Sequence, residues 1–293
     1  MRAAAAVCGG QLAGDSVGSR ELVLTPGRVS NGQWRFEIPT AGSAVLVLQT
    51  VIPALMLSRG DSQVTAVGGT HNPFAPCFEY LRDVFGVLAS AANLNAFFEL
   101  QRAGFYPAGG GSVRMHIRGL GGQEEVAPLG YLSRGELLGI EVLSAASDSL
   151  PAHVARRQAD QAASRLEAAG YDAAVEQARW DSQSPGTVVF VRAVFSRAVA
   201  GFFALGKRGK PAERVADEAV DAMLGFLASD GAVDAHAADQ LLTIAALCPA
   251  ESRFRTERVT SHLLTVGDVI RQLTGREVNI DGQLNSPGDV SVA

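Results

Sequence analysis

Cysteine is scarce in this sequence. Cys8, Cys77 and Cys248 stand far apart, are odd in number and form no CxxC pair. That excludes a disulfide framework and a cysteine-built zinc site, and it points to a reducing compartment, the cytoplasm. Long apolar runs are missing too, and no stretch is long and uncharged enough to span a membrane. Met1 to Val7 faintly resembles a signal peptide, but Gly9-Gly10-Gln11 arrives too early for a full apolar region. It reads instead as the end of a helix closed by the glycine pair. A basic surplus is also lacking: 25 Lys and Arg face 30 Asp and Glu, for a net charge of −5. Nucleic-acid binding through bulk charge is thereby disfavoured, so an RNA ligand would need a local groove and would be held by an end.

What remains is a chain built to fold. At 293 residues, with 47% hydrophobic and 19% charged residues, it has enough apolar material for one large domain or two smaller ones and is no disordered chain. The first third reads as short strands with helices between them. Glu21–Thr25 and Gln33–Ile38 look like two strands joined by a turn. Ser43 to Met56 is an apolar helix capped by Ser43, with Pro53 expected to kink or end it. Gln63–Val67 is a strand that runs into Gly68-Gly69. Phe78 to Phe98 has helical spacing, and Phe105 to Ile117 is extended and broken by three glycines.

The middle has a different character. A strand (Glu136–Ser144), an Arg- and Ala-rich helix (Ala152–Ala169), a β-branched strand (Gly186–Phe195) and a helix (Ala212–Ala228) follow in β-α-β-α order. This order could stand as an inserted domain with seams near Tyr131 and Asp230-Gly231. The tail returns to the first style, with helices at Asp234–Leu247 and Ser261–Leu273, a strand at Arg253–Val259 and a final strand at Glu277–Ile280.

Several segments could carry chemistry. At Thr260-Ser261-His262 a strand hands over to a helix, and a helix start gathers free N–H groups that favour phosphate. A neutral imidazole placed there is a nucleophile within reach of such a phosphate. Taken alone, His262 reads more readily as an ordinary first-turn residue. His236, Asp239 and Gln240 share one helix face at i, i+3 and i+4; they could orient a nucleotide or form a solvated face. Gln49 is a lone amide in an apolar helix, so it either braces the backbone or faces a ligand. Gly68 to Pro76 is a stiff loop of the kind that carries function, with His71 as a candidate phosphate or metal contact. Gly109-Gly110-Gly111 lacks the Lys-Ser/Thr and following helix of a P-loop, so tight packing or a bulge is the better reading. Lys207, Arg208 and Lys210 form a basic loop that could touch RNA phosphates or be simply solvated.

Five strings then stand together in order: Gly42-Ser-Ala-Val-Leu-Val-Leu-Gln-Thr-Val-Ile-Pro-Ala-Leu55, Gly68-Gly-Thr-His-Asn-Pro-Phe-Ala-Pro76, Gly104-Phe-Tyr-Pro-Ala-Gly-Gly-Gly111, Ala238-Asp-Gln240 and Ser261-His-Leu-Leu-Thr265. With them the chain resembles the RNA 3'-terminal phosphate cyclase family over essentially its whole length. The resemblance implies an α/β (α+β) fold. Residues 1–130 and 232–293 would form a large domain of repeated four-stranded-sheet and two-helix units, as in the cyclase and enolpyruvyl transferase-like folds. Residues 131–231 would be a smaller inserted α/β domain. It implies ATP-dependent closure of an RNA 3'-phosphate to a 2',3'-cyclic phosphate, with His262 as the adenylylated nucleophile and a divalent cation, magnesium or manganese, beside the triphosphate. Gln49, Pro76 and the segment His236, Ala237, Ala238, Asp239 and Gln240 would hold the nucleotide. Pro76 and His236 would flank the adenine, although His236 stands where the family pattern looks like Tyr. Relatives begin with several dozen further residues, including an acidic, glycine-rich motif that resembles a metal and phosphate site. Nothing in this chain replaces that motif, so the first repeat reads as incomplete, either because the sequence is cut short or because the protein is a degenerate relative. The alternative expectation is therefore a non-catalytic RNA-binding relative, against which His262 counts.

Overall fold

The computed structural model describes residues 1–293. Its elements run α1 (Arg2–Val7), β1 (Gln11–Ala13), β2 (Val23–Thr25), β3 (Gln33–Glu37), α2 (Ala44–Met56), β4 (Asp61–Gly68), α3 (Phe78–Tyr80), a π-turn at Leu81–Phe85, α4 (Gly86–Ser90), β5 (Asn95–Arg102), β6 (Gly111–Arg118) and, after a 3-10 turn, β7 (Gly130–Tyr131). There follow β8 (Leu137–Ser147), α5 (His153–Ala168), β9 (Ala173–Trp180), β10 (Thr187–Phe195), β11 (Val199–Leu205), α6 (Ala212–Ala228), α7 (Ala235–Ala245), β12 (Ser252–Thr256), α8 (Ser261–Thr274), β13 (Val278–Asp281) and β14 (Gly288–Val292).

The architecture is mixed α/β with three four-stranded sheets, in the orders β3-β4-β6-β5, β11-β10-β8-β9 and β13-β14-β12-β7. Each sheet carries helices: α2 lies on β4 and β6 with α1 beside it, α5 and α6 cover the second sheet, and α7 and α8 pack together on the third. The second sheet encloses its own apolar cluster, built from side chains such as Val191, Leu166, Val220 and Phe226. The larger cluster runs from α2 through the 78–90 helix to α7, and takes in Phe190 and Val199 of the second sheet and Ala198 of the turn between β10 and β11. Gly201 of β11 is what allows this contact, because a Cβ there would lie 2.6 Å from a Val84 methyl.

Local chemistry sets the helix ends. Ser43 accepts from the Leu46 N–H at 3.2 Å, Thr260 accepts from Leu263 N–H at 3.0 Å, and Gly275 closes α8 in the left-handed region at φ 72°. The two strand edges around the middle segment meet on one line. β7 runs parallel to β12 with Tyr131 opposite Phe254, and Val233 forms a parallel bridge to Thr256 of the same strand.

Several sequence expectations need correction. Val23–Thr25 and Gln33–Glu37 are not partners: β2 pairs with β1, and β3 joins β4 in parallel. Pro53 does not end α2, which continues to Met56; the N–H it lacks would have served the Gln49 carbonyl. Helical spacing from Phe78 to Phe98 overran the helix, which stops at Ser90 before β5 begins. The extended reading from Phe105 holds only from Gly111, because Gly109 and Gly110 turn with positive φ. The middle order is β-α-β-β-β-α, with β9 and β11 unforeseen, and β14 follows the strand expected to be last. Tight packing explains the triple glycine: a Cβ on Gly104 or Gly111 would strike the other's backbone. The three cysteines are free and buried.

Candidate nucleotide-transfer site at the start of α8

His262 is the second residue of α8, and its side chain is 75% exposed. Its Nδ1 lies 3.0 Å from Oδ2 of Asp239, whose own side chain is only 12% exposed. Asp239 is held there by α7, packed against α8. Burial pushes the Asp239 carboxyl up to about 6, against the opposing pull of His262 and His236. At neutral pH the group is therefore mostly a carboxylate and faces the imidazole Nδ1 at 3.0 Å. A neutral imidazole with its proton on Nδ1, toward that carboxylate, carries its lone pair on Nε2.

Gln240, next on α7, accepts from Gln49 Nε2 at 2.7 Å. The lone amide of the apolar helix α2 thus clasps α7 across 191 residues of chain. Both amides are half-buried. A simple solvated face is ruled out for Asp239 and Gln240. His236 is the exposed member of the set, and its ring stands edge-on to Tyr80, with centroids 6.4 Å apart at 88°. Ala237 and Ala238 are fully buried and supply backbone rather than surface. Pro76 is half-buried on the turn into α3, four residues before Tyr80.

Sequence reasoning missed the support beneath this row. Asp234 caps α7, its Oδ1 accepting from the N–H groups of His236 at 3.0 Å and Ala237 at 2.9 Å. The same oxygen accepts from the Tyr80 hydroxyl at 2.6 Å, while Oδ2 is buried without a partner. Burial raises the Asp234 carboxyl, against the lowering by Tyr80, and raises Tyr80 well above the usual phenol range. Asp before a helix was a readable cap signal; nothing local announces Tyr80, 154 residues away. Glu257 accepts from the Ala235 N–H at 3.2 Å and is also raised by burial. A cavity of about 620 Å³ opens beside His236, between the start of α7 and the β11 and α6 surface, with Gly201, Ala222, Glu257, Arg258 and Asn285 in its walls; His262, Asp239, Gln49 and Gln240 do not line it.

His71 lies outside this constellation. It is fully buried, with Nδ1 2.7 Å from the Thr70 hydroxyl and Nε2 2.9 Å from Glu79 Oε2. Burial opposes the Glu79 charge, yet His71 holds that carboxyl below its ordinary value. Of the two readings of His71, a phosphate or metal contact or neither, the structure favours the latter, because both ring nitrogens are already committed inside the protein. No three His, Cys, Asp or Glu side chains converge as a metal cage.

Fold and site together define a class: a mixed α/β protein in which a buried carboxylate orients an exposed imidazole in the first turn of a helix. Known proteins narrow it further. The family profile described as RNA 3'-terminal phosphate cyclase matches residues 1–280. An RNA 3'-terminal phosphate cyclase of Methylococcus capsulatus is 40% identical over 272 residues, covering 90% of this chain and 74% of that protein. One from Methanothermobacter thermautotrophicus is 36% identical over 295 residues, covering all of this chain and 85% of its own length. One from Trichormus variabilis is 36% identical over 279 residues, covering 93% and 79%. The chain belongs to the RNA 3'-terminal phosphate cyclase family. No helix is long and apolar enough to cross a membrane.

Proposed function

We propose that this protein converts an RNA 3'-terminal phosphate to a 2',3'-cyclic phosphate at the expense of ATP, with His262 as the covalent nucleophile. The observation that carries this reading is the 3.0 Å contact between His262 Nδ1 and Asp239, which turns Nε2 outward as a free nucleophile on an exposed side chain. In the first step Nε2 donates its lone pair to the α-phosphorus of ATP. The bond from that phosphorus to the bridging oxygen breaks and pyrophosphate leaves. The imidazole becomes positive, and Asp239 offsets that charge through Nδ1–H. An oxygen of the RNA 3'-phosphate then attacks the same phosphorus and the N–P bond breaks, restoring the imidazole. Finally the ribose 2'-OH attacks the 3'-phosphorus, loses its proton and expels AMP.

Gln49, Pro76 and the segment His236, Ala237, Ala238, Asp239 and Gln240 hold the nucleotide in this reading, with Pro76 and His236 on either side of the adenine. The free N–H groups at the start of α8 receive phosphate. A magnesium or manganese ion accompanies the triphosphate and neutralises its charge. Residues 131–231 form an inserted domain on a large domain of repeated sheet-and-helix units, and the buried free thiols fit the cytoplasm.

The test is incubation with α-labelled ATP and magnesium. The expected product is an acid-labile, alkali-stable protein label that His262→Ala abolishes. Labelling that survives in His262→Ala overturns the assignment, as does a folded protein that takes no label.

A further inference from the structure

A second large cavity lies away from the His262 row, where the Gly104–Gly111 loop of the first sheet faces the helix starts of the middle segment. Its volume is about 690 Å³. Four cations line it, Arg157, Lys207, Arg208 and Lys210, and no acidic residue does. Two of these are braced. Arg157 makes a two-pronged pair with Glu213 at 2.7 and 2.8 Å, and Lys210 pairs with Glu218 while donating to the Leu205 carbonyl at 3.1 Å. Lys207 and Arg208 make no ion pair, so their charge is free. The start of α6 also lines the cavity at Pro211 and Ala212. This helix has no side-chain cap, so its first-turn N–H groups stand unpaired.

The opposite wall is aromatic. Phe105 is buried and stacked on His71, with ring centroids 5.1 Å apart. Gly186 seats directly against Phe105, since a Cβ there would lie 2.2 Å from the ring. Tyr106 is the opposite case, 66% exposed at the cavity mouth. Free cations, unpaired helix N–H groups and a free aromatic ring around one opening are the parts of a single-strand nucleic-acid groove: charge tracks the backbone and the ring stacks a base. The cavity is larger than a lone phosphate requires. On a protein of net charge −5, this local concentration of cations is the footprint expected for a polyanion.

The two sites are linked through the first sheet and α2. His71 in the cavity wall bridges to Phe105, and Gly69, two residues earlier, bridges to Ser43 at the start of α2. Gln49, which clasps Gln240, lies six residues further along α2, a rise of about 9 Å. We propose that this cavity holds the phosphodiester backbone of the RNA strand upstream of the 3' end that reaches His262, with Tyr106 stacking a base. The proposal rests on the cyclase reading above and extends it from the terminal phosphate to the length of strand the protein grips.

The test is fluorescence anisotropy of 3'-phosphorylated single-stranded RNA on the full chain, comparing a dodecanucleotide with a dinucleotide. The double variant Lys207→Glu with Arg208→Glu is expected to weaken the dodecanucleotide at least about tenfold and to lower its salt slope by roughly 1.4, as two lost phosphate contacts would. The dinucleotide should be unaffected. Tyr106→Ala should weaken the longer RNA without changing the salt slope. Unchanged binding of the dodecanucleotide overturns the proposal. So does an equal loss at both lengths, and so does displacement of the dodecanucleotide by inorganic phosphate with the same potency as by RNA, which marks a free-anion pocket instead. Thermal unfolding of each variant checks that these surface changes leave the fold intact. Labelling by ATP needs no RNA, so a protein that takes the label but shows no length dependence overturns this proposal alone.

Discussion

Asp239 meets two opposed influences. Burial opposes its charge, and His262 favours it, leaving the carboxyl at about 6 rather than 3.8. Between those values the folded chain holds a proton that the unfolded chain has released. The group therefore makes the fold less stable as pH rises through that window. Asp239→Asn removes the titration. In urea unfolding, the stability of wild type minus that of the variant should fall from about pH 4 to above pH 6; a difference that does not vary with pH would contradict the burial argument. The same variant should slow labelling by ATP about a hundredfold or more, since the imidazole loses its carboxylate. Part of this site was legible from sequence. Helical spacing put His236, Asp239 and Gln240 on one face, and the strand-to-helix handover marked His262. What spacing does not show is which faces meet. The Asp239–His262 contact, the Gln49–Gln240 clasp and the Tyr80–Asp234 bond all join separate elements, so only the resemblance to a family drew the first four of these residues together.

At the scale of elements, α8 depends on its first turn. Thr260 supplies the side-chain cap, and the imidazole sits directly above it. Thr260→Ala should cost about 1 kcal/mol of stability in chemical denaturation and lower the labelling rate, while Thr260→Ser restores both. An alanine variant as stable and as active as wild type would show that packing against α7 alone sets the helix start. The helices were the legible part of the fold, because caps at Ser43, Asp234 and Thr260 and stops at Gly170 and Gly275 are written in single residues. Strands were harder. β9 is an edge strand with a mostly exposed pattern, so it carries little apolar alternation to read. β5 was absorbed into the preceding helix because Leu94, Phe97 and Phe98 extend that helix's apolar spacing by chance. Sheet partners were not legible at all, since β3 and β4 pair in parallel across an intervening helix.

At the scale of the whole molecule, three sheets share one framework, and the middle one is both attached and partly separate. It fills its own core with α5 and α6, yet lends Phe190 and Val199, with Ala198 of the turn between β10 and β11, to the main one. Its attachment follows from the line on which β7 and Val233 both meet β12. Tyr131 sits opposite Phe254 and Val233 opposite Thr256, two residues apart on one strand and so about 7 Å along it. The chain from Leu132 to Ala232 is therefore a detour that leaves and rejoins the same edge, and extended backbone of about two or three residues can close the gap. A shortened chain with such a bridge should keep one cooperative thermal transition and still take the ATP label on His262. It should melt earlier, because the Val84 side of the π-turn loses its cover. If the shortened chain has no cooperative transition, the middle sheet is a structural necessity. If it has one, nature's longer path is editable: the seam on β12 is a site where whole modules can be removed, exchanged or given new chain ends without disturbing the histidine.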